Sequence, residues 1–385
     1  MSASLRICMW SYIQERARRD VVLHVFSAVC LLILWRCLPP DARFLLGWVG
    51  TILTFGALTL AVAWLLERFL PNPKLDPTGK AVLITGCDRG FGELLARRLD
   101  SEGFKVFAGC LFPESAEARA LEERSVSGLR VIPLDVTKDQ QVTDAVQELE
   151  RMLGKHHLWA VVCNAGVNLF LEFEWMSQRD MSWMFDVNVH GTVRVVRAFL
   201  PLLRRSRGRL VLVSSYAGRV APMWIVPYAM TKAAIIALAD GLSRELAKWK
   251  ISVSTIEPTY YLTDINPRTE EHMFGKFVEL PESVRVAYSE CYARDRCSGI
   301  VRFLKRISRT DLSEVVDAMT DAVSRTRSRR YYRCDGTVSW CLTLLFFSLP
   351  SFFADVAVAM TWGSSYSPDR KGVLKRIGGH IGKGS

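Results

Sequence analysis

Tyr228-Ala229-Met230-Thr231-Lys232 sets a phenol and an ammonium four residues apart. On a helix, positions i and i+4 share a face, so the two side chains can approach one ligand. A phenol with its usual pKa near 10 is a poor acid or base at neutral pH. A neighbouring ammonium favours the phenolate and moves the tyrosine toward operating pH, as proton exchange with an alcohol oxygen requires. Alone, the pair reads as an ordinary contact on a helix surface. Thirteen residues before Tyr228, Ser214-Ser215 closes an apolar run, where a hydroxyl could hold a substrate oxygen. Asn188, in Asp186-Val187-Asn188-Val189-His190-Gly191, falls inside a helical stretch, although Asn is a mediocre helix former. Either a polar task inside the fold or a capped kink accounts for it.

Two further signals concern an anion. Thr85-Gly86-Cys87-Asp88-Arg89-Gly90-Phe91-Gly92 follows an apolar run and leads into a helix expected to start at Glu93. Strand, glycine turn and helix let backbone N–H groups and a helix N-terminus hold a pyrophosphate. The spacing is GxxxGxG. Asn164-Ala165-Gly166 closes another apolar run, a place beside the switch point of a parallel sheet where a dinucleotide lies.

These residues need a scaffold, and residues 77–335 supply its pattern. Ala81–Thr85, Val106–Cys110, Val131–Leu134, Trp159–Cys163, Leu210–Ser214 and Ser252–Ile256 are apolar on both faces, as strands covered by helices on both sides must be. Helical periodicity fills the gaps at Gly92–Ser101, Gln140–Leu153, Trp183–Arg204, Tyr228–Trp249 and Leu312–Ser324, and a last strand follows at Tyr331-Tyr332. Strict alternation predicts a Rossmann-type α/β fold, a doubly wound parallel sheet in a single domain. Asp264–Thr310, rich in charge, is expected to cover the substrate.

In this order and spacing the chain resembles the short-chain dehydrogenase/reductase family. The set is Thr85–Gly92, Asp135 after the third strand, Asn164–Gly166, Asn188, Ser215, Tyr228 with Lys232, and Pro258 with Thr263. The resemblance narrows to the membrane-bound branch of retinol dehydrogenases and 11β- and 17β-hydroxysteroid dehydrogenases, through Gly86-Cys87-Asp88, Leu200-Pro201-Leu202-Leu203, Gly208-Arg209 and Arg330-Tyr331-Tyr332. It implies hydride transfer with NAD or NADP. Tyr228 would exchange the hydroxyl proton, and Lys232 would lower its pKa and bind the nicotinamide ribose. Ser215 would hold the substrate oxygen, and Asn188 would keep a water path to Lys232. Gly86, Arg89, Gly90, Phe91, Gly92, Asn164, Ala165 and Gly166 would line the cofactor, with Asp135 at the adenine and Thr263 at the carboxamide.

The chain departs from that pattern twice. Pro-Gly is usual after the sixth strand, but here Pro258 precedes Thr259, which lacks glycine's freedom at positive φ, so the loop is expected to be reshaped. An acid ending the second strand would accept a ribose 2′-OH and select NAD, yet Cys110 stands there, with Glu114 four residues on. Cys110 and Arg89 lean toward NADP and the branch leans toward NAD, so the cofactor stays open between them.

Composition places the protein. Half of its 385 residues are hydrophobic and its mean hydropathy is +0.14, above ordinary soluble usage once the 25 Gly are added, which excludes a disordered chain. The excess is local. Phe44–Leu66 is 23 residues without a charge, about 34 Å as a helix. Val21–Trp35 is a 15-residue run that Arg36, Cys37 and Leu38 extend by snorkelling. Spans are expected at 21–38 and 44–66, within an anchor of residues 1–76. A cleaved signal peptide is the alternative for the first run, but no small-residue cleavage site follows it. The basic residues beside the spans put the catalytic domain in the cytosol, and the branch puts the anchor in the endoplasmic reticulum membrane. Residues 336–385 hold a second apolar stretch, Val338–Trp362, read as interfacial helices or a buried segment, and a basic tail. The net charge of +11 therefore reads as membrane topology and surface attraction, and no basic stripe with aromatic interleaving points to nucleic acid. The ten Cys are scattered without a CxxC pair, so no metal cage is expected.

The expected function is a membrane-anchored oxidoreductase of a lipophilic alcohol or carbonyl, a steroid or retinoid, with a homodimer compatible. Another lipid, such as a fatty acyl derivative, is an alternative substrate. A non-catalytic dinucleotide-binding membrane adaptor is an alternative of another class; such proteins lose the Tyr or the Lys, and both are present here.

Overall fold

Apolar β-branched runs become seven parallel strands: β1 (Lys80–Thr85), β2 (Lys105–Cys110), β3 (Arg130–Pro133), β4 (His157–Cys163), β5 (Arg209–Val213), β6 (Ser252–Pro258) and β7 (Tyr331–Cys334). Their order is β3-β2-β1-β4-β5-β6-β7. The computed structural model describes residues 72–263 and 270–334, with scattered positions between 39 and 62. Positions 54–59 are helical. The expected spans, apart from such positions, and the C-terminal segment from 336 lie outside the described residues. Among the described residues, no helix is long and apolar enough to cross a membrane.

The helices are α1 (Gly90–Ser101), α2 (Ala116–Glu123), α3 (Asp139–Leu153), α4 (Gln178–Phe185), α5 (Thr192–Ser206), α6 (Val226–Glu245), α7 (Glu270–Val278), α8 (Glu282–Tyr288), α9 (Glu290–Ile307) and α10 (Ser313–Ser324). Strand alternation sorts the core into two layers. Ala81 and Leu83 face α3, α5 and α6 through Leu149, Phe199 and Ile235. Val82 and Ile84 face α1 and α10 through Leu95, Leu99 and Met319. Both faces of β1 are thereby dry, which is why its sequence carries no polar alternation.

The branch-marking residues have structural tasks. Arg209 is buried, donates to the carbonyls of Ala322 (2.8 Å) and Thr326 (3.2 Å) at the end of α10, and stacks on Trp159. Arg330 and Tyr331 both bond the Asp240 carboxylate on α6, at 2.9 and 2.6 Å. These contacts tie the far edge of the sheet to the helix that carries Tyr228.

Two expected helix bounds change. α1 starts at Gly90 rather than Glu93, directly after Arg89, which is in extended backbone. The single helix expected over 183–204 is broken: α4 ends at Phe185, Asp186–Gly191 forms a π-helical turn, and α5 follows. The wider turn carries Asn188, whose amide bonds elsewhere. π-turns of this kind cluster at functional sites.

Candidate active site

Sheet order reverses between β1 and β4, and a cavity of about 1060 Å³ opens at their carboxyl ends. Thr85 closes β1, and its hydroxyl accepts the backbone N–H groups of Asn164 and Ala165, both at 3.0 Å. The Asn164 amide returns two bonds of 3.0 Å to the carbonyls of Thr85 and Gly86. Glycine is required twice in this knot. Gly86 has φ +72, and a Cβ on Gly92 would lie 2.2 Å from the Gly86 carbonyl oxygen.

The turn presents a helix start to the cavity. No side chain caps α1, and Gly90 and Phe91 line the opening. Glu93, the acid of that first turn, is engaged by Arg97 at 3.0 Å. An uncapped helix N-terminus above a glycine turn fits a pyrophosphate. Arg89, Asp135, Gly166 and Thr263 line the same cavity, so the expected cofactor residues are brought together, with Gly92 behind the wall as a close-packing position. Asp135 also organises its own loop, accepting from Thr137 N–H (2.9 Å) and hydroxyl (2.7 Å).

At the end of β2, Cys110 is buried and offers no carboxylate, while Glu114 is exposed and meets Arg119. Sequence spacing did not reveal that Asp88 supplies the acid there. Its carboxylate accepts the N–H groups of Leu111 (3.0 Å) and Phe112 (2.7 Å). The signal was the Asp in the glycine turn itself, whose partner lies 23 residues on.

Tyr228, Lys232 and Ser215 line the cavity, and Asn188 lies behind it, 1% exposed. Lys232 is buried, donates to the Val213 carbonyl at 3.0 Å, and sits 5.5 Å from the Tyr228 ring centre. Ser215 donates to the Pro258 carbonyl (3.3 Å) and accepts from the Ala217 N–H (3.1 Å). The Asn188 amide accepts from Val167 N–H (2.8 Å) and donates to the Val167 carbonyl (2.9 Å) and to Thr231 (3.0 Å). One amide thus fixes both the loop after β4 and the turn of α6 between Tyr228 and Lys232.

The electrostatics run against the simplest expectation. Desolvation pushes the Tyr228 phenol up to about 12, with the Ser215 hydroxyl pulling the other way. Desolvation also pulls Lys232 down to about 8. The ammonium, turned to a backbone carbonyl and shielded from water, does not bring the phenol toward neutrality by itself. Thr259 is less disruptive than expected: among the described residues the non-glycine positions at positive φ are Arg207, Trp224, Lys250 and Ser289, and Thr259 is not one of them. Threonine is therefore unstrained after Pro258.

The segment expected over the site folds in part as α7, α8 and α9. It is anchored by Arg296, which pairs with Glu172 at 3.1 Å and stacks on Trp224. Trp175 gathers Phe277 and Tyr288 around it.

Comparison with known proteins bears on this geometry. Residues 80–273 match the family model described as short chain dehydrogenase. The chain is 37% identical over 300 residues to the mitochondrial D-beta-hydroxybutyrate dehydrogenase of Bos taurus, covering 75% of this chain and 86% of that one. It is 33% identical over 314 residues to 17-beta-hydroxysteroid dehydrogenase type 6 of Homo sapiens, covering 80% and 96%. Among solved structures, a short chain dehydrogenase/reductase from Burkholderia phymatum in complex with NAD matches with TM-score 0.59 and 21% identity, covering 71% of this chain and 95% of that one.

Proposed function

Because this chain belongs to the short-chain dehydrogenase family, we propose that it oxidises or reduces the CH–OH or carbonyl group of a lipophilic substrate, a steroid or a retinoid, at a membrane. The chain is an NAD- or NADP-dependent oxidoreductase of CH–OH donors. The convergence of Tyr228, Lys232 and Ser215 on the cavity that also takes the glycine turn carries the reading. When bound, the nicotinamide supplies or accepts the hydride. Ser215 hydrogen-bonds the substrate oxygen, and Tyr228 holds the proton that this oxygen gains or gives up. Lys232 stabilises the phenolate and binds the nicotinamide ribose. Asn188 positions the loop and helix on either side and keeps a water path to Lys232.

The substrate class is argued from the lining. Beyond the catalytic side chains, Val167, Phe170, Ile225 and Tyr260 face the cavity from the loop after β4, the start of α6 and the end of β6. Among the described residues, the cavity's arginine and its second lysine, Arg89 and Lys138, come from the glycine turn and the loop after β3, so none of those three segments brings a guanidinium to meet a small acid's carboxylate. An apolar substrate partitions into lipid, and the uncharged run Phe44–Leu66 supports an anchor that brings the site to it, in the endoplasmic reticulum with the catalytic domain cytosolic. The test is a panel of steroids, retinol and acyl derivatives with NAD or NADP, followed by the absorbance of the reduced nicotinamide. Turnover of a steroid or retinoid is the expected result. Cofactor binding without turnover of any lipophilic alcohol would favour the adaptor.

Burial also sets a pH dependence. Oxidation needs phenolate and ammonium together, in a pair held at about 12 and about 8. Below pH 8 one proton must leave to reach that state, so kcat/KM for oxidation rises about tenfold per pH unit and levels above about 8. Reduction needs phenol and ammonium, so it is level below about 8 and falls above it. Profiles of both directions from about pH 6 to 10 check this; two profiles that rise together would sink it.

A further inference from the structure

Asn168 stands in the cavity wall two residues past Gly166, is 7% exposed, and its amide oxygen accepts no hydrogen bond. Buried polar groups without partners are costly and rare, and they persist where another task compensates. Nothing in the catalytic or cofactor assignment uses this amide.

Its position is fixed from both ends. Val167 is held by the Asn188 amide at 2.8 and 2.9 Å, and that amide also reaches Thr231 beside Lys232. The Leu171 N–H donates to the Trp224 carbonyl at 2.8 Å, four residues before Tyr228. Segment 167–171 is thus stapled twice to the region of the chain that carries Tyr228 and Lys232. Asp135, Leu111 and Phe112 line the cavity from the β2 and β3 side of the switch point, so the adenine end lies away from it. Phe170 on the same loop, with Ile225 and Tyr260, lines the same cavity. One amide among apolar and aromatic side chains is the arrangement by which a pocket orients a ligand.

We propose that Asn168 selects substrates bearing a second oxygen function, a hydroxyl or keto group, remote from the carbon that exchanges hydride. This rests on the reading of the chain as a dehydrogenase of lipophilic alcohols. An amide serves either group, its oxygen accepting from a hydroxyl and its nitrogen donating to a ketone, and rotation about its last bond presents either end. A site built around a hydrogen bond rejects an analogue that lacks it, because the buried polar group is left unpaired. A polyene alcohol with one oxygen leaves Asn168 as it stands here. A steroid oxygenated at both ends satisfies it.

The experiment uses the full chain in detergent, with a steroid oxygenated at both ends, its analogue lacking the remote oxygen, and retinol. The doubly oxygenated steroid is expected to exceed its analogue in kcat/KM by about 100-fold or more. Asn168→Leu, with the same branched shape and without polar atoms, is expected to bring the two within about threefold of each other, chiefly through KM, with the cofactor's KM unchanged. Should that variant fail to fold, Asn168→Ser and the wild-type ratio carry the test. Equal rates for the two steroids in the wild type, or an unchanged ratio in the variant, would overturn the proposal and leave the dehydrogenase reading standing. A change in the cofactor's KM alone assigns the amide to the cofactor and overturns it as well. Absence of turnover on every lipophilic alcohol would remove both.

Discussion

The Tyr228→Phe variant is expected to bind nicotinamide cofactor as the wild type does and to turn over its substrate at least about a thousandfold more slowly. The substitution removes one oxygen and leaves a ring of the same shape on the same helix. The Lys232 ammonium, 5.5 Å from the ring centre, keeps its aromatic neighbour and its bond to the Val213 carbonyl. Packing therefore changes little, and the melting temperature should stay within a few degrees of the wild type. What disappears is the group that exchanges a proton with the substrate oxygen. Ser215→Ala is a poorer test, because the Ser215 hydroxyl also accepts the Ala217 N–H and donates to Pro258, so its loss disturbs the loop as well. Cofactor titration by fluorescence beside steady-state rates separates binding from chemistry. Turnover within about tenfold of the wild type would remove Tyr228 from the acid–base role.

That variant could be chosen from the sequence because Tyr228, Lys232, Ser215 and the glycine turn lie where local pattern is strong. Strand ends followed by special residues are legible, since a buried parallel strand is a continuous apolar run and its end is abrupt. The parallel, doubly wound character of the sheet followed from the alternation of strand and helix. Three features escaped. The π-turn at Asp186–Gly191 is invisible to a 3.6-residue periodicity, because one extra residue per turn leaves the apolar positions looking continuous. The carboxylate at the end of β2 comes from Asp88 in another loop, a contact that spacing along one strand cannot show. Asn168 belongs to no motif; an Asn between Val167 and the pair Leu169-Phe170 is the available signal. For Asp88 and Asn168 the missing information is which segments meet in the fold.

The Lys232→Met variant is expected to lose activity by about a thousandfold and yet to be more stable than the wild type at pH 7. Burial holds the lysine at about 8 instead of its ordinary 10.5. A shift of that size means that keeping the ammonium inside costs about 3 kcal/mol at neutral pH. Methionine has similar length and no charge to desolvate. Against this, the Val213 carbonyl loses its 3.0 Å partner, which costs about 1–3 kcal/mol. The balance is a gain of about 0–2 kcal/mol, a rise of up to a few degrees in melting temperature for a domain of this size. The sign of the pH dependence follows from proton linkage. Between about 8 and 10.5 the unfolded wild type binds the lysine proton and the folded one does not, so wild-type stability rises with pH across that window. The variant lacks the group and gains nothing there. Its advantage should therefore be full below about pH 8 and shrink as the pH climbs toward 10.5, disappearing or reversing in that interval. Thermal denaturation of both proteins at several pH values between about 6 and 10.5 reads this directly. A variant less stable at every pH by a constant amount would mean that the Val213 contact outweighs the buried charge. Full activity in the variant would mean that Tyr228 works without the ammonium. A site that keeps a destabilising cation beside its phenol has retained it for turnover, and the two measurements on one substitution separate that role from packing.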